Sequence, residues 1–410
     1  MKQITYAILG YGGRGSTFAA LTKLSNINAK IVAVAEPDPD KRAEAAKFCE
    51  LPDDMVFESA EELLAGPRLA DAVINTTMDR LHAQTSISAM KKGYHLLLEK
   101  PMAVTLEDCM EIERTQRETG VVVAVCHSLR YNIFYDAIKK MIMSGDIGEV
   151  ITFDQLEGVG DIHYSSSFVR GNWGNESRSA FMLMAKSCHD IDIFNYLTGR
   201  RCKKVSSFGS LSYFKKEHRP AGAPEYCLDG CPGENECPYH CAKIYLEDPL
   251  WRFVFPRKDD KSVREYLKRG PYGRCVFQCD NDVVDHQVVN FEYEGGITGT
   301  FTMTAFNPEI NRYIRIHGTR GTIIGNLEER VIVYRNFINQ NTNTIKLPLP
   351  RTQSHGGGDV LVLESITDAI RNNDPEAVLT TAQESLESHR IVFAAEEARR
   401  KGTVVSIEKI

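Results

Sequence analysis

Tryptophan is scarce in this chain, with two in 410 residues, and several features are missing altogether. No apolar run reaches the roughly 20 residues that cross a bilayer, so no membrane span is expected. Met1-Lys2-Gln3 leads straight into the first expected strand, which leaves no room for a signal peptide and points to the cytoplasm. Neither sign of charge dominates. Lys and Arg number 49 against 55 Asp and Glu, a net charge of -6, without the basic footprint that nucleic acid or an anionic membrane demands. Internal repeats and low-complexity tracts are lacking too. What remains is globular, with 42% hydrophobic and 25% charged residues over a length that calls for two domains. The eleven cysteines are odd in number and scattered, which fits a reducing compartment better than a disulfide framework.

Residues 8–15 carry the most chemistry. An apolar strand, Thr5 to Leu9, runs into G-x-G-x-x-G on Gly10, Gly12 and Gly15, followed by a helical stretch from Ser16 to Leu24. Such a turn lets a dinucleotide pyrophosphate approach the free N–H groups of a helix N-terminus, with Gly13 and Arg14 inside it. A second strand, Lys30 to Ala35, ends on Glu36, where a carboxylate holds the adenosine ribose hydroxyls and repels a 2′-phosphate. NAD is therefore expected over NADP; Arg42 is expected on the exposed face of the next helix, the alternative being a guanidinium that accommodates the phosphate.

Alternation of strand and helix continues to about residue 125, the signature of a doubly wound Rossmann domain over 1–125. Ligands in such sheets bind beyond the carboxyl ends of the strands, so Asn75, Thr76 and Thr77 after Val73–Ile74, and Glu99 and Lys100 after His95–Leu98, fall at the cofactor crevice. From about Glu149 the chain turns strand-rich: Val150–Leu156, Lys204–Leu211, Asp285–Tyr293, Gly299–Ala305, Arg312–His317 and Val331–Tyr334. These predict an α+β domain over 126–410 with a large, mostly antiparallel sheet, closed by helices Val360–Asn372 and Ala382–Arg400. The fold class is α/β.

Together, the Gly-rich turn, Asn75-Thr76-Thr77 with His82, Glu99-Lys100-Pro101, Arg130 with Gly145-Asp146-Ile147-Gly148-Glu149-Val150, and His189-Asp190-Ile191-Asp192 resemble the Gfo/Idh/MocA family. The resemblance spans the whole chain. It implies a nicotinamide-dependent enzyme acting on a sugar, cyclitol or glycoside, a cofactor role for His82, and a homo-oligomer, dimer or tetramer, built on the open face of the second sheet. It also implies catalytic positions for Lys100 and His189. Oxidising a secondary alcohol needs a proton acceptor and a positive group beside the developing alkoxide, and a neutral imidazole can accept that proton. Many relatives place an Asp four residues before that His; here Ala185 stands there, with Lys186 beside it, so Lys186 joins the catalytic candidates.

Arg130, Tyr131 and Asp192 are expected at the substrate, as is the loop holding His163, Tyr164, Arg170, Asn172 and Trp173, whose mixture of aromatic and hydrogen-bonding groups suits a pyranose. The loop His355-Gly356-Gly357-Gly358-Asp359 resembles one that approaches the substrate in this family. An insertion at 220–245 places Cys227, Cys231, Cys237 and Cys241 in the spacing C-x3-C-x5-C-x3-C. Four thiolates there fit a structural zinc; an iron–sulfur cluster, disulfides and free thiols stay open, as does a contribution from Cys275 and Cys279. Two enzymatic readings follow: a dehydrogenase releasing ketone and NADH, and a glycosidase or lyase that oxidises a ring hydroxyl transiently, eliminates the aglycone and returns the hydride. A non-enzymatic cofactor-binding subunit is the third.

Overall fold

Apolar runs buried on both faces build the first sheet, as all-parallel strands require. The computed structural model describes residues 2–25, 27–352 and 354–408, so Met1 lies outside the described residues. Strands β1 (Ile4–Leu9), β2 (Ala29–Ala35), β3 (Val56–Phe57), β4 (Ala72–Asn75), β5 (His95–Leu98) and β6 (Val123–Val125) pair in the order β3-β2-β1-β4-β5-β6, all parallel. The crossovers carry α1 (Gly13–Leu24), α2 (Pro39–Cys49), α3 (Ala60–Ala65), α4 (His82–Lys91) and α5 (Leu106–Thr119). Successive β1 side chains point to opposite faces. Ile4, Tyr6 and Ile8 enter one core with Phe18 of α1, while Ala7 and Leu9 enter the other with Met90 and Ile112.

The second unit contains α6 (Ile133–Met143), β7 (Val150–Gly158), α7 (Asp161–Tyr164), α8 (Met182–Ala185), α9 (Cys188–Thr198), β8 (Cys202–Ser210) and α10 (Asp260–Arg269). Strands β9 (His286–Tyr293), β10 (Thr298–Thr304), β11 (Asn311–Gly318), β12 (Gly321–Asn326), β13 (Val331–Asn336) and β14 (Thr342–Lys346) follow, then α11 (Gly358–Asn372), α12 (Ala382–Lys401) and β15 (Val405–Ser406). The sheet runs β14-β13-β12-β11-β7-β10-β9-β8-β15, antiparallel except for β7 beside β10. Its inner face packs on α6 and α9 through Phe134, Ile138, Ile191 and Phe194. The outer face exposes Phe208, Tyr313 and Ile324.

Strands β12 and β14 were not expected from the sequence. Gly321 and Gly325 dilute the strand signal of the first, and every β14 residue is exposed at the sheet edge, so pairing with β11 and β13 supplies what local propensity lacks. The two last helices do more than close the chain. Val362, Leu363 and Ile366 of α11 share the core of β1, and α12 puts Leu386 into the first unit and Ile391, Val392 and Ala395 into the second.

Candidate active site

At the end of β1 the chain adopts φ +86 at Gly10, where a Cβ would lie 2.6 Å from the Thr76 carbonyl oxygen; one on Gly15 would lie 2.1 Å from that of Gly10. These two glycines allow strand, turn and helix to close on each other. Gly12 and Gly13 differ, because nothing lies within 4 Å of their Cβ positions. Gly12 caps α1 without a side chain, leaving first-turn N–H groups free over an open cradle that fits a pyrophosphate. Glu36 accepts hydrogen bonds from the Tyr11 N–H at 2.6 Å and the Asp38 N–H at 3.0 Å, which hold its carboxylate at the rim of that turn. Arg42 corrects the sequence expectation: it folds back onto the carbonyls of Glu36 and Pro37 and pairs with Glu58, and 18% of its side chain is exposed.

Several expected cofactor contacts form the scaffold beneath this cradle. Arg14 donates to Glu99 at 2.5 Å and to both oxygens of Asp359 at 2.7 and 2.9 Å, tying α1 and the end of β5 to the start of α11. Asn75 is fully buried, donating to Thr85 and Ser86 and accepting from the Thr77 hydroxyl. The His82 ring lies between the carbonyls of Pro101 at 2.7 Å and Thr77 at 3.1 Å. Both fix the loop bearing Thr76 and Thr77 rather than face open space.

Lys100 follows β5, and its Nζ donates to the Ala185 carbonyl at 2.8 Å, which sets the ammonium beside Lys186 and His189. Arg312 enters from β11, donating to Asp190 at 2.6 Å, to Glu157 at 2.6 Å and to His189 Nε2 at 3.0 Å. Ser187 and Lys186 reach Glu157 at 2.6 and 3.5 Å. Glu157, His189 and Asp190 bring one ligand-type atom each within 4.8 Å. Arg312 touches all three, so a guanidinium stands where a metal ion would.

Burial and this crowd of charges shift the groups of the site in both directions. Burial lowers the Lys186 ammonium, helped by Arg312 and Lys100 and opposed by Glu157. Burial also depresses His189 far below the ordinary imidazole range, with Arg312, Lys100, His355 and Lys186 adding to it. Burial first, and then the Lys186 charge, push His163 down to about 3. Burial raises Asp190, while Arg312 and Lys186 outweigh burial at Glu157 and hold it low. Two adjacent buried carboxyls thus divide their proton unequally.

The structure brings Lys100, Lys186, His189 and His163 together, with His355 edge-on to His189 at a ring separation of 5.8 Å. It sends other expected substrate residues elsewhere. Arg130 and Asp192 form a buried bidentate pair at 2.7 and 2.8 Å, Arg130 also reaching Glu384. Tyr131 accepts from the Leu379 N–H, and Tyr164 donates to the carbonyls of Val283 and Val284. Trp173 donates to Asp79 at 3.0 Å and keeps an exposed ring, and Asn172 has a buried amide nitrogen without a partner. Sequence reasoning missed Glu157 and Arg312. The available signal was a polar residue on an inward strand face, after Phe153 and Gln155 on β7 and before Ile314 and Ile316 on β11.

Arg170 also departs from expectation. It is buried in the cysteine insertion, donating to the carbonyls of Arg274 and Tyr239 and lying 3.7 Å from Cys227 Sγ. Zn–S bonds of about 2.3 Å need tightly converging sulfurs. Among the described residues no three cysteine sulfurs lie within 4.8 Å of one another, and all eleven cysteines are free. The expected tetrahedron on Cys227, Cys231, Cys237 and Cys241 is therefore not formed. A hydrogen bond with Cys241, then the Arg170 charge, lowers the Cys227 thiol against burial, while the same hydrogen bond and then burial raise that of Cys241. The insertion orders itself instead around a core of its own, with Cys227, Cys241, Ile244, Tyr245, Phe255, Val263 and Leu267 buried together.

A glycine-rich turn on a six-stranded parallel sheet, with a lysine at the end of β5 and a second unit carrying the facing groups, defines a nicotinamide-dependent oxidoreductase. The Gfo/Idh/MocA family models match residues 4–127 as the NAD-binding Rossmann fold and 139–407 as the C-terminal alpha/beta domain, and the chain belongs to that family. It is 25% identical over 404 residues, 91% of each chain, to YteT of Bacillus subtilis (strain 168), named as an oxidoreductase. It is 29% identical to the scyllo-inositol 2-dehydrogenase (NAD(+)) of the same organism over 51% of this chain and 58% of that one. Levoglucosan dehydrogenase in complex with NADH shares the fold at a TM-score of 0.75 and 18% identity, covering 100% of both chains. No described helix is long and apolar enough to cross a membrane.

Proposed function

We propose that the protein oxidises a secondary hydroxyl of a sugar, cyclitol or glycoside, with NAD as hydride acceptor. The observation that carries this reading is the convergence of Lys100, Lys186 and His189 just beyond β5, beside the open cradle of Gly12 and Gly13. When bound, NAD supplies the nicotinamide that accepts the hydride, and Gly10, Gly12, Gly13, Gly15, Glu36, Thr76 and Thr77 are the residues to hold it. Lys100 supplies the charge that stabilises an alkoxide, and the low-dielectric surroundings strengthen that interaction. Zinc has no part in this reading, since the insertion's sulfurs do not converge. The exposed Phe208, Tyr313 and Ile324 support a homo-oligomer formed on the outer sheet face, and eleven free thiols support the cytoplasm as its compartment.

A panel of polyols and glycosides incubated with and without NAD tests the reading. Stoichiometric NADH with an intact glycosidic bond is the expected result. A second reading, transient oxidation followed by elimination, is favoured by His163, an imidazole depressed to about 3 in the same charge cluster and therefore neutral. Cleavage without net NADH, with solvent deuterium incorporated beside the oxidised carbon, would replace the first reading by the second.

Cofactor choice gives a separate prediction. Glu36 is fixed by two backbone donors and presents its charge where a 2′-phosphate would sit. Calorimetric titration should show NAD bound at least tenfold more tightly than NADP, about 1.4 kcal/mol. Glu36→Ala should narrow that preference; equal affinities in the unaltered protein would sink the assignment.

A further inference from the structure

We infer that Arg312 fixes His189 as a neutral Nδ1–H donor, and that the hydroxyl proton of the substrate leaves to Lys186. The inference rests on the dehydrogenase reading above. Arg312 Nη2 lies 3.0 Å from His189 Nε2. A guanidinium has five N–H donors and no lone pair to accept with, and it stays protonated, so Nε2 must supply the lone pair. The imidazole carries one proton, since burial and the charges of Arg312, Lys100, His355 and Lys186 keep it neutral, and that proton sits on Nδ1.

Arg312 cannot turn away to release Nε2. Its Nε is held by Asp190 and its Nη2 by Glu157, both fully buried carboxyls, and Gln155 donates to Asp190 from behind at 2.7 Å. The other ring nitrogen has no such partner. His189 Nδ1 is buried and makes no hydrogen bond to the protein. Buried donors are almost always satisfied, so an orphan N–H among catalytic groups marks the place of a ligand oxygen.

His189 in this tautomer can give a hydrogen bond to the substrate oxygen but cannot take its proton. Lys186 is the neighbour able to do so. Its side chain is 13% exposed and its Nζ lies 3.5 Å from Glu157, which waits to pair with the ammonium formed on proton uptake. The groups that set its charge are Lys100 after β5, Glu157 on β7, Asp190 on α9 and Arg312 on β11. Lys186 in turn acts on His163 and, across the β12–β13 turn, on Glu328. In the step, the O–H proton passes to Lys186 in its amine form, the form that burial, Arg312 and Lys100 favour, and the hydride on the same carbon passes to oxidised nicotinamide. A carbonyl forms while Lys100 and the His189 Nδ1–H retain their protons and hold its oxygen. Arg312 is a positioning residue, acting through His189.

Ring nitrogen shifts from nitrogen-15 histidine-labelled full-length protein, recorded with and without NAD, test the tautomer without any turnover. His189, assigned by the loss of its signals in His189→Gln, is expected to be protonated at Nδ1 alone at pH 7. Protonation at Nε2 or at both nitrogens overturns the inference. On the best substrate of the panel, His189→Gln should keep turnover within about tenfold, because its amide N–H replaces the donor, whereas His189→Ala should lose about 100-fold. Equal losses overturn the donor role. The rise of kcat/KM with pH should vanish in Lys186→Met; an unchanged rise assigns the proton acceptor elsewhere and overturns that half. If nothing on the panel is oxidised, the dehydrogenase reading fails while the ring spectrum still decides the tautomer.

Discussion

Lys100→Ala should lower turnover by about 1,000-fold, the scale seen when one preorganised donor to a developing oxyanion is removed. The affinity for NAD should hardly change. The split follows from position. Among the described residues Lys100 Nζ makes one hydrogen bond, to the Ala185 carbonyl at 2.8 Å, and nothing of Lys100 lies within 4 Å of the Gly12 and Gly13 Cβ positions. Its bond to the substrate oxygen strengthens only as negative charge develops there, so the loss falls on the chemical step. Single-turnover hydride transfer, followed by nicotinamide absorbance and set against NAD affinity from calorimetry, measures the two separately. Near-normal turnover would remove Lys100 from the reacting centre. A matching loss of NAD affinity would make it a cofactor residue instead.

Arg130→Ala should destabilise the fold by about 3–5 kcal/mol, the cost of leaving a buried charge without its partner. Arg130 and Asp192 keep 4% and 1% of their side chains exposed, and no water-facing side remains from which Asp192 can be solvated. Burial would raise the Asp192 pKa, yet Arg130 and the Ser388 hydroxyl hold it below the ordinary carboxylate value. A depressed pKa stabilises the fold above the unfolded carboxylate value of about 3.9 and ceases to do so as pH falls through the folded one. In the variant the sign reverses, because protonation relieves the stranded charge. The stability gap between the two proteins, read from denaturant midpoints, should therefore be widest near pH 7 and narrow toward pH 4. A gap under 1 kcal/mol at pH 7 would show that Asp192 finds other partners.

Much of the first unit was legible because its signals are local. In the turn Gly10–Gly15 a Cβ on Gly15 would meet the Gly10 carbonyl oxygen five residues back, and β5 stands at the residues its apolar pattern predicted. Lys100 was legible for the same reason, as the residue that leaves a strand at its carboxyl end. The polar face of the second sheet was less so. Glu157 and Arg312 are 155 residues apart, and each by itself reads as an isolated charge within a strand.

Residue type and order alone determined the parallel sheet, the dinucleotide turn and the acidic residue at the end of β2. Pattern was enough there because each feature is decided by residues close together in the chain. Tertiary structure alone decided the pairing of the charges. Arg14 pairs with Asp359, Arg130 with Asp192, and Arg170 donates to the carbonyls of Arg274 and Tyr239. A long guanidinium can serve any of these partners equally well. Which one it finds depends on which segments the core brings within about 3 Å, and a buried charge must be paired by whatever lies there.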